Sequence, residues 1–378
     1  MAENSSIEWC DHTFNPWTGC AKVSPGCAHC YAESFSKRAP KTIGGWGKGV
    51  PRLRTSENNW RNPLKWNRNV VTRNFQEIHL KDGRVIRDYA DKIAKMGILM
   101  EDIVMAGPVR PRVFCASMAD WLDDEVPIQW LADLLQLICQ TPNLDWLLLT
   151  KRPENWLERV MFQILETDRR FADFEGFPEW LYDWKYGNPP PNVWIGTSVE
   201  NQAMAERRIP NLLNIPAKVR FLSCEPLLGS VDLRAMKFQD HHPLFRANPL
   251  TGAHLRDGLN ESIAYPNAQK IHWVICGGES GHGARPMRPD WARSLRDQCQ
   301  AAGVPFLFKQ WGEFGICPPP VIRGMDGNLV QTSTFKSTAH YVEDQTNHEW
   351  LERMGKKAAG RLLGGREWNE FPKTGGQP

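Results

Sequence analysis

Three cysteines, Cys20, Cys27 and Cys30, fall in the stretch TGCAKVSPGCAHCYAES, residues 18–34. Six residues separate the first two and two separate the second pair, and Ser24, Pro25 and Gly26 form a turn able to fold the loop about a metal centre. Three thiolates can hold three irons of a [4Fe-4S] cluster and leave the fourth open to an outside ligand. Four thiolates close the site, as in structural zinc or electron-transfer centres. Cys10 is the nearby candidate for a fourth ligand, and His12 and His29 keep a zinc site open. In an alternating strand ahead of the loop, Cys10 also reads as a small buried residue. Unliganded thiols are the bland alternative, and clustered reactive thiols without a role are a liability.

Such a loop needs a scaffold that brings other polar side chains to it. Short apolar or β-branched runs end in polar clusters at RVFCASMADW (from Arg112), LDWLLLTKRPEN (Leu144), NVWIGTSVEN (Asn192), VRFLSCEPLL (Val219), IHWVICGGESG (Ile271) and PFLFKQWGE (Pro305). Each reads as a strand buried on both faces. Helix-like stretches from Ile128, Glu154, Glu200 and Pro289 alternate with them, the last with Pro289 and Asp290 at its start and Gly303 at its stop. With SIEWCDHTF as the first strand, the pattern predicts seven parallel strands in βαβ units. The expected fold is α/β: a parallel (β/α) barrel, complete or partial and TIM-like, forming one domain over residues 1–378. Excursions are expected at 70–107 (a hairpin about Lys81–Arg84 and a helix about Arg87–Met96), 172–191, 239–270 and 317–345.

Active sites of such folds lie at the C-terminal ends of the strands. That rule gathers Ser117 and Asp120, Lys151 and Arg152, Ser198 and Glu200, Glu225, Glu279 and Ser280, and Lys309, Gln310 and Glu313 at the mouth that receives the cysteine loop. Glu225, Glu279, Lys309 and Glu313 are the catalytic candidates, since carboxylates there can serve as general acid and base. Asp120 and Ser198 alternatively cap the helices that follow them. The run GGESGHG lacks the lysine and spacing of a P-loop and reads as a tight turn.

With 41% apolar and 24% charged residues, the chain reads as soluble and globular. No apolar run approaches the roughly 20 residues of a membrane span, and MAENSSIEWC lacks the regions of a signal peptide, so a cytoplasmic protein without a membrane partner is expected. Ten cysteines, seven of them scattered, do not make a secreted disulfide framework. The net charge of +3 is unevenly placed: ten basic residues against Glu57 alone lie between Lys37 and Arg73, so the rest is net acidic. Trp46, Trp60 and Trp66 stand among those cations, a combination able to grip a phosphate backbone and stack on bases. The plainer reading is a solvated segment with core tryptophans.

Three closely spaced cysteines after the first strand of a parallel α/β barrel, the last followed by an aromatic residue, resemble the radical S-adenosylmethionine superfamily. The motifs NPWTGCAKVSPGCAHCYAE, FLSCEPLLG, GGESGHGARPM, FKQWGE and GKKAAGRLLGGREWNEFP resemble more closely a phage- and prophage-borne three-cysteine-motif barrel family of uncharacterised substrate. That likeness covers nearly the whole chain apart from the excursions. The superfamily usually has a shorter gap between its first two cysteines. The resemblance implies that Cys20, Cys27 and Cys30 ligate a [4Fe-4S] cluster and that Tyr31 lies against the adenine of S-adenosylmethionine. The superfamily's glycine-glycine-glutamate motif follows its second strand, whereas Gly277, Gly278 and Glu279 follow the sixth strand here, so that role does not pass to Glu279. By position, Ser117 and Asp120 take the methionine amino group, and Ser198 and Glu200 take the ribose.

The reading implied is a radical enzyme that needs an external reductant, with a partner protein as a further candidate, acting on a nucleic acid, DNA foremost, or on a phosphorylated small molecule held through Lys37–Arg73. Arg353, Lys356, Lys357 and Arg361 add to that charge. A base target would have to be extruded to reach a barrel mouth. Two other classes stay open: a zinc-stabilised nucleic-acid-binding barrel without radical chemistry, and a metal-free hydrolase using the strand-end carboxylates.

Overall fold

The structure is a computed structural model that describes residues 5–39, 43–164, 176–237, 245–256, 262–264, 268–317, 321–323, 329–331, 339–342 and 349–373. Seven strands form its centre: β1 (His12–Phe14), β2 (Arg112–Cys115), β3 (Asp145–Thr150), β4 (Val193–Ser198), β5 (Val219–Cys224), β6 (Trp273–Gly277) and β7 (Phe306–Gln310). Each of the seven apolar runs forms one of them. They pair in chain order, all parallel. β1 and β7 are the two edges and do not pair with one another, so the sheet is a curled, open partial barrel and not a closed one.

The curl follows from the alternation of side chains along each strand. Trp9, Phe114, Leu147, Trp194, Phe221, Trp273 and Leu307, drawn from one edge of the sheet to the other, form a single buried cluster. Trp9, just ahead of β1, lies 6.3 Å from the ring of Trp273 on β6. Five flat strand intervals would span about 24 Å, so only a concave sheet brings these rings together. Gly196 on β4 leaves room for the ring of Phe221, which a Cβ there would approach to 2.4 Å.

The opposite faces of the strands are covered by helices. After a first helix, α1 (Tyr31–Arg38), which gives no residue to the larger core, these include α2 (Glu57–Arg73), α3 (Ile128–Cys139), α4 (Phe177–Lys185), α5 (Gln202–Asn214) and α6 (Pro289–Ala302). Leu131 and Leu135 of α3, Ile209 and Leu212 of α5, and Leu295 and Cys299 of α6 join Val113, Trp146, Ile195, Leu222, Val274 and Phe306 in the larger core. Asn201 caps α5 by accepting the Met204 amide at 3.1 Å. Pro289 opens α6, and Gly303, at φ +64°, ends it.

The excursions build small antiparallel sheets. Residues 75–80 and 85–89 form the expected hairpin, and a third strand, Ile103–Pro108, completes it. The expected helix there is shorter, Ala90–Ile93, because Arg87–Tyr89 pair with Phe75–Glu77 instead. The C-terminal part of the basic segment, read as a charged stretch, is helix α2. Lys41, and parts of the excursions at 172–191, 239–270 and 317–345, lie outside the described residues.

Candidate functional site

Parallel direction delivers all seven strand ends to one rim, where a cavity of about 540 Å³ opens. Its lining includes Cys20, Cys27, Cys30 and Tyr31 from the loop after β1, together with Ser117 and Asp120, Lys151 and Arg152, Ser198, Glu225, Glu279 and Ser280, and Lys309 and Gln310. Thus every strand contributes, and most of the residues expected at one mouth do meet there. Glu200 and Glu313 stand outside the described lining.

The cysteine loop is fastened at several points. Cys20 forms a bridge with Trp46, and its amide donates to the Gly45 carbonyl at 3.3 Å. Its Sγ lies 3.7 Å from Arg152 Nη1. Burial pushes the Cys20 thiol up to about 12, Asp120 adds to that, and Arg152 opposes it. Cys27 ends a 3₁₀ turn that Pro25 opens, with its Sγ 3.7 Å from Ser24 Oγ. Cys30 directly precedes α1, and its carbonyl accepts the Ser34 amide at 3.2 Å.

Two carboxylates hold the loop from different strands. Glu200 is fully buried, pairs with Arg208 at 2.8 Å and accepts from Ser24 Oγ at 2.6 Å. A Cβ on Gly26 would come within 2.4 Å of Glu200, so glycine is required where the loop crosses it. Glu279 receives Nε and Nη2 of Arg285 at 2.8 and 2.7 Å, and Arg285 Nη2 also donates to the Pro25 carbonyl at 3.0 Å. Glu200, expected at the ribose, has its carboxylate turned to Ser24 and Arg208 beneath the loop and not into the cavity lining.

Asp120 is likewise engaged within the protein. Its Oδ1 accepts from Thr150 Oγ1 and the Leu122 amide, and its Oδ2 from the Lys151 amide and Arg152 Nη1, at 2.7 to 3.0 Å. It orders the end of β3 and does not cap α3. Ser117 Oγ accepts from Asn15 Nδ2 at 3.0 Å, and the Ser117 carbonyl accepts from Tyr31 Oη at 2.5 Å. Ser198 Oγ accepts from Lys151 Nζ at 3.0 Å.

The catalytic candidates are tied separately. Lys309 Nζ donates to Glu225 Oε1 at 2.7 Å. Burial disfavours that ammonium, but the adjacent Glu225 more than offsets it and raises its pKa. Glu313 accepts the Gly281 amide at 2.9 Å and lies 3.6 Å from Arg353. Glu225, Glu279 and Glu313 each face a cation, so they do not form the free carboxylate pair of a general acid and base. The tight turn expected at GGESGHG has a concrete cause: a Cβ on Gly278 would sit 1.8 Å from the Trp311 carbonyl oxygen.

Among the described residues, no three His, Cys, Asp or Glu side chains gather as the ligands of one metal ion. Cys10 stands apart, 7% exposed, with its Sγ donating to Ser5 Oγ and its thiol pushed up to about 12 by burial. Cys20, Cys27 and Cys30 border one cavity, and three thiols are a donor set that an iron–sulfur cluster would accept.

The basic segment is less available than its composition suggests. Arg52 is buried against Asp123 and Glu125, Arg54 pairs with Asp133, Arg73 with Asp91, Lys37 with Glu33 and Arg61 with Glu57. Trp66 is 3% exposed and stacks on His12 at 4.4 Å, while Trp60 lies under Arg54 at 4.0 Å. Of the three tryptophans, Trp46 reaches the cavity. Sequence reading missed the supports Ser24, Arg208 and Arg285. Their contacts with the loop join residues 176 and 260 positions apart, Ser24 with Glu200 and Arg285 with Pro25, and only the glycine at position 26 hinted at a close approach.

A curled parallel α/β sheet with a thiol-bearing cavity at its C-terminal rim is the class of protein that fold and site define. The chain belongs to a family of proteins of unknown function, DUF5131, whose model matches residues 4–372. No curated protein and no solved structure matches it significantly. No helix among the described residues is long and apolar enough to cross a membrane.

Proposed function

We propose that this protein is a radical S-adenosylmethionine-type enzyme acting on a nucleic acid, DNA foremost, or on a phosphorylated small molecule. The observation that carries the reading is that Cys20, Cys27, Cys30 and Tyr31 border the same cavity as the ends of the seven strands. Cys20, Cys27 and Cys30 would hold a [4Fe-4S] cluster with S-adenosylmethionine at its open iron. Once bound, these groups supply radical hydrogen abstraction, and an external reductant or a partner protein must deliver the electron.

The chain's own part is position. Glu200 and Glu279 hold the loop through Ser24 and Arg285, which fixes where the thiols stand. Ser117 and Ser198 offer hydroxyls at the rim, and Lys151 beside Ser198 offers a cation. The lining carries five cations, Lys22, Lys151, Arg152, Lys309 and Lys356, against the three carboxylates of Asp120, Glu225 and Glu279. That excess favours a phosphate-bearing substrate.

Anaerobic purification with iron, sulfide and zinc analysis tests the proposal. We expect about four irons and four sulfides per chain, lost in Cys20→Ala, Cys27→Ala and Cys30→Ala and kept in Cys10→Ala. Stoichiometric zinc without iron, dependent on Cys10, would replace the radical reading with a metal-stapled binding protein.

A further inference from the structure

We propose that the Lys309–Glu225 pair reads the edge of a nucleobase, which deepens the substrate reading above and rests on it. Lys309 projects from β7 and Glu225 follows β5, with β6 between them. Gly277, the last residue of β6, lies beside them, where even a Cβ would stand at an ordinary contact distance of 3.4 Å from the Glu225 carboxyl. Across that gap the two side chains join at 2.7 Å, and both line the cavity with their side chains 15% and 19% exposed.

One contact does not exhaust either group. An ammonium has three protons and a carboxylate has two oxygens, so the joined pair still offers a donor beside an acceptor. The ligand that answers this is one with an acceptor beside a donor on a single edge. A trans peptide group directs its N–H and C=O to opposite sides. The ring amides and amidines of nucleobases hold theirs side by side. Trp9, Phe114, Leu149 and Pro226 line the same cavity and supply apolar walls for a flat ring, and the excess of cations suits the attached phosphate.

Gln310, next along β7, carries the argument further. It is 5% exposed, and its Nε2 donates to Ser280 Oγ at 3.0 Å, while its buried Oε1 has no partner in the protein. A buried amide oxygen left unpaired at a cavity marks a place where something other than the protein completes the bonding.

Equilibrium binding to the full chain, without S-adenosylmethionine or reductant, tests this independently of the radical chemistry. The probes are short single-stranded DNA, the same length of abasic sugar–phosphate strand, the four nucleoside monophosphates, and an uncharged peptide. We expect the base-bearing strand to bind roughly tenfold or more tightly than the abasic one. Lys309→Gln and Glu225→Gln should each remove most of that preference, with Gln310→Leu reducing it in a chain whose ion pair is intact. Monophosphates that bind as tightly as the strand would make the source a free nucleotide, and weaker ones a nucleic acid; both carry the nucleobase edge. Equal binding of base-bearing and abasic strands, stronger binding of the peptide, or an unchanged preference in all three variants would overturn the proposal. Iron content measured on the same samples separates this result from the fate of the cluster reading.

Discussion

The two ends of the curled sheet differ in chemistry although the same strands build both. Near the strand starts, Phe114, Leu147, Trp194, Phe221, Trp273 and Leu307 fill the concave side with rings and aliphatic groups. A few residues further along, Ser198, Ser223, Glu225 and Lys309 line the cavity from the same side. Two residues of strand advance the chain about 7 Å, so stability and chemistry are separated by a short step along one axis. The lesson is one of direction. In an all-parallel sheet every strand leaves at the same rim, so a buried plug at one end imposes the curl and the other end receives the polar groups.

The sharpest break of that comparison pairs one substitution at each end. Trp273→Ala empties the plug of a fully buried ring and should cost about 3–5 kcal/mol in chemical denaturation. Glu200→Ala leaves the Arg208 guanidinium, whose side chain is 1% exposed, without its carboxylate, a loss of similar size at about 3–5 kcal/mol. The two should part in iron bound per folded chain. Trp273→Ala should keep its iron, whereas Glu200→Ala should lose most of it, because Ser24 and the cysteine loop lose their support. Full iron in folded Glu200→Ala would show that the loop is not held from beneath.

The plug and the strands were legible in the sequence because their signal is local: an apolar run ended by polar residues gives a strand, and its last residues give the rim. The position of Cys20, Cys27 and Cys30 at that rim was legible for the same reason. Closure was not, because whether β7 returns to β1 depends on the accumulated curl and not on any run of residues. Nor were the roles of Glu200 and Asp120 legible. Both follow strands as site residues do, yet their partners Ser24, Arg208, Thr150 and Arg152 are set by tertiary packing. The basic segment misled because composition counts charges but not their partners: Arg52, Arg54 and Arg73 face Asp123, Asp133 and Asp91.

The next effect in size is a pH dependence confined to the plug end. His272, directly ahead of β6, accepts the Arg220 amide on Nδ1 at 3.0 Å. Burial, with Arg220 and Lys270 nearby, pulls its pKa down to about 4. The unfolded chain takes up this proton near pH 6.5. Between those values His272 binds more protons in the unfolded state, so its contribution to stability falls as the pH drops from about 6.5 towards 4, whereas Asp145, whose carboxyl burial pushes up to about 7, acts in the opposite sense over the same window. Thermal melts at the two limits should show His272→Gln gaining stability relative to wild type as the pH falls. A difference between the two chains that stays constant over this window would remove His272 as a source of pH dependence.

The smallest effect concerns the outer surface. Lys65 and Arg68 are exposed on α2, and no ion pair to either is found among the described residues. Replacing both with Gln should change stability by less than about 0.5 kcal/mol. Their value to the comparison lies in salt dependence. If α2 extends the polar rim towards a phosphate backbone, the double variant should lower the slope of log affinity for single-stranded DNA against log salt by up to about 2, with no change in the preference for base-bearing over abasic strands. An unchanged slope would confine recognition to the cavity. The basic segment would then be a solvated helix whose tryptophans serve the core, and the strand ends alone would carry the chemistry.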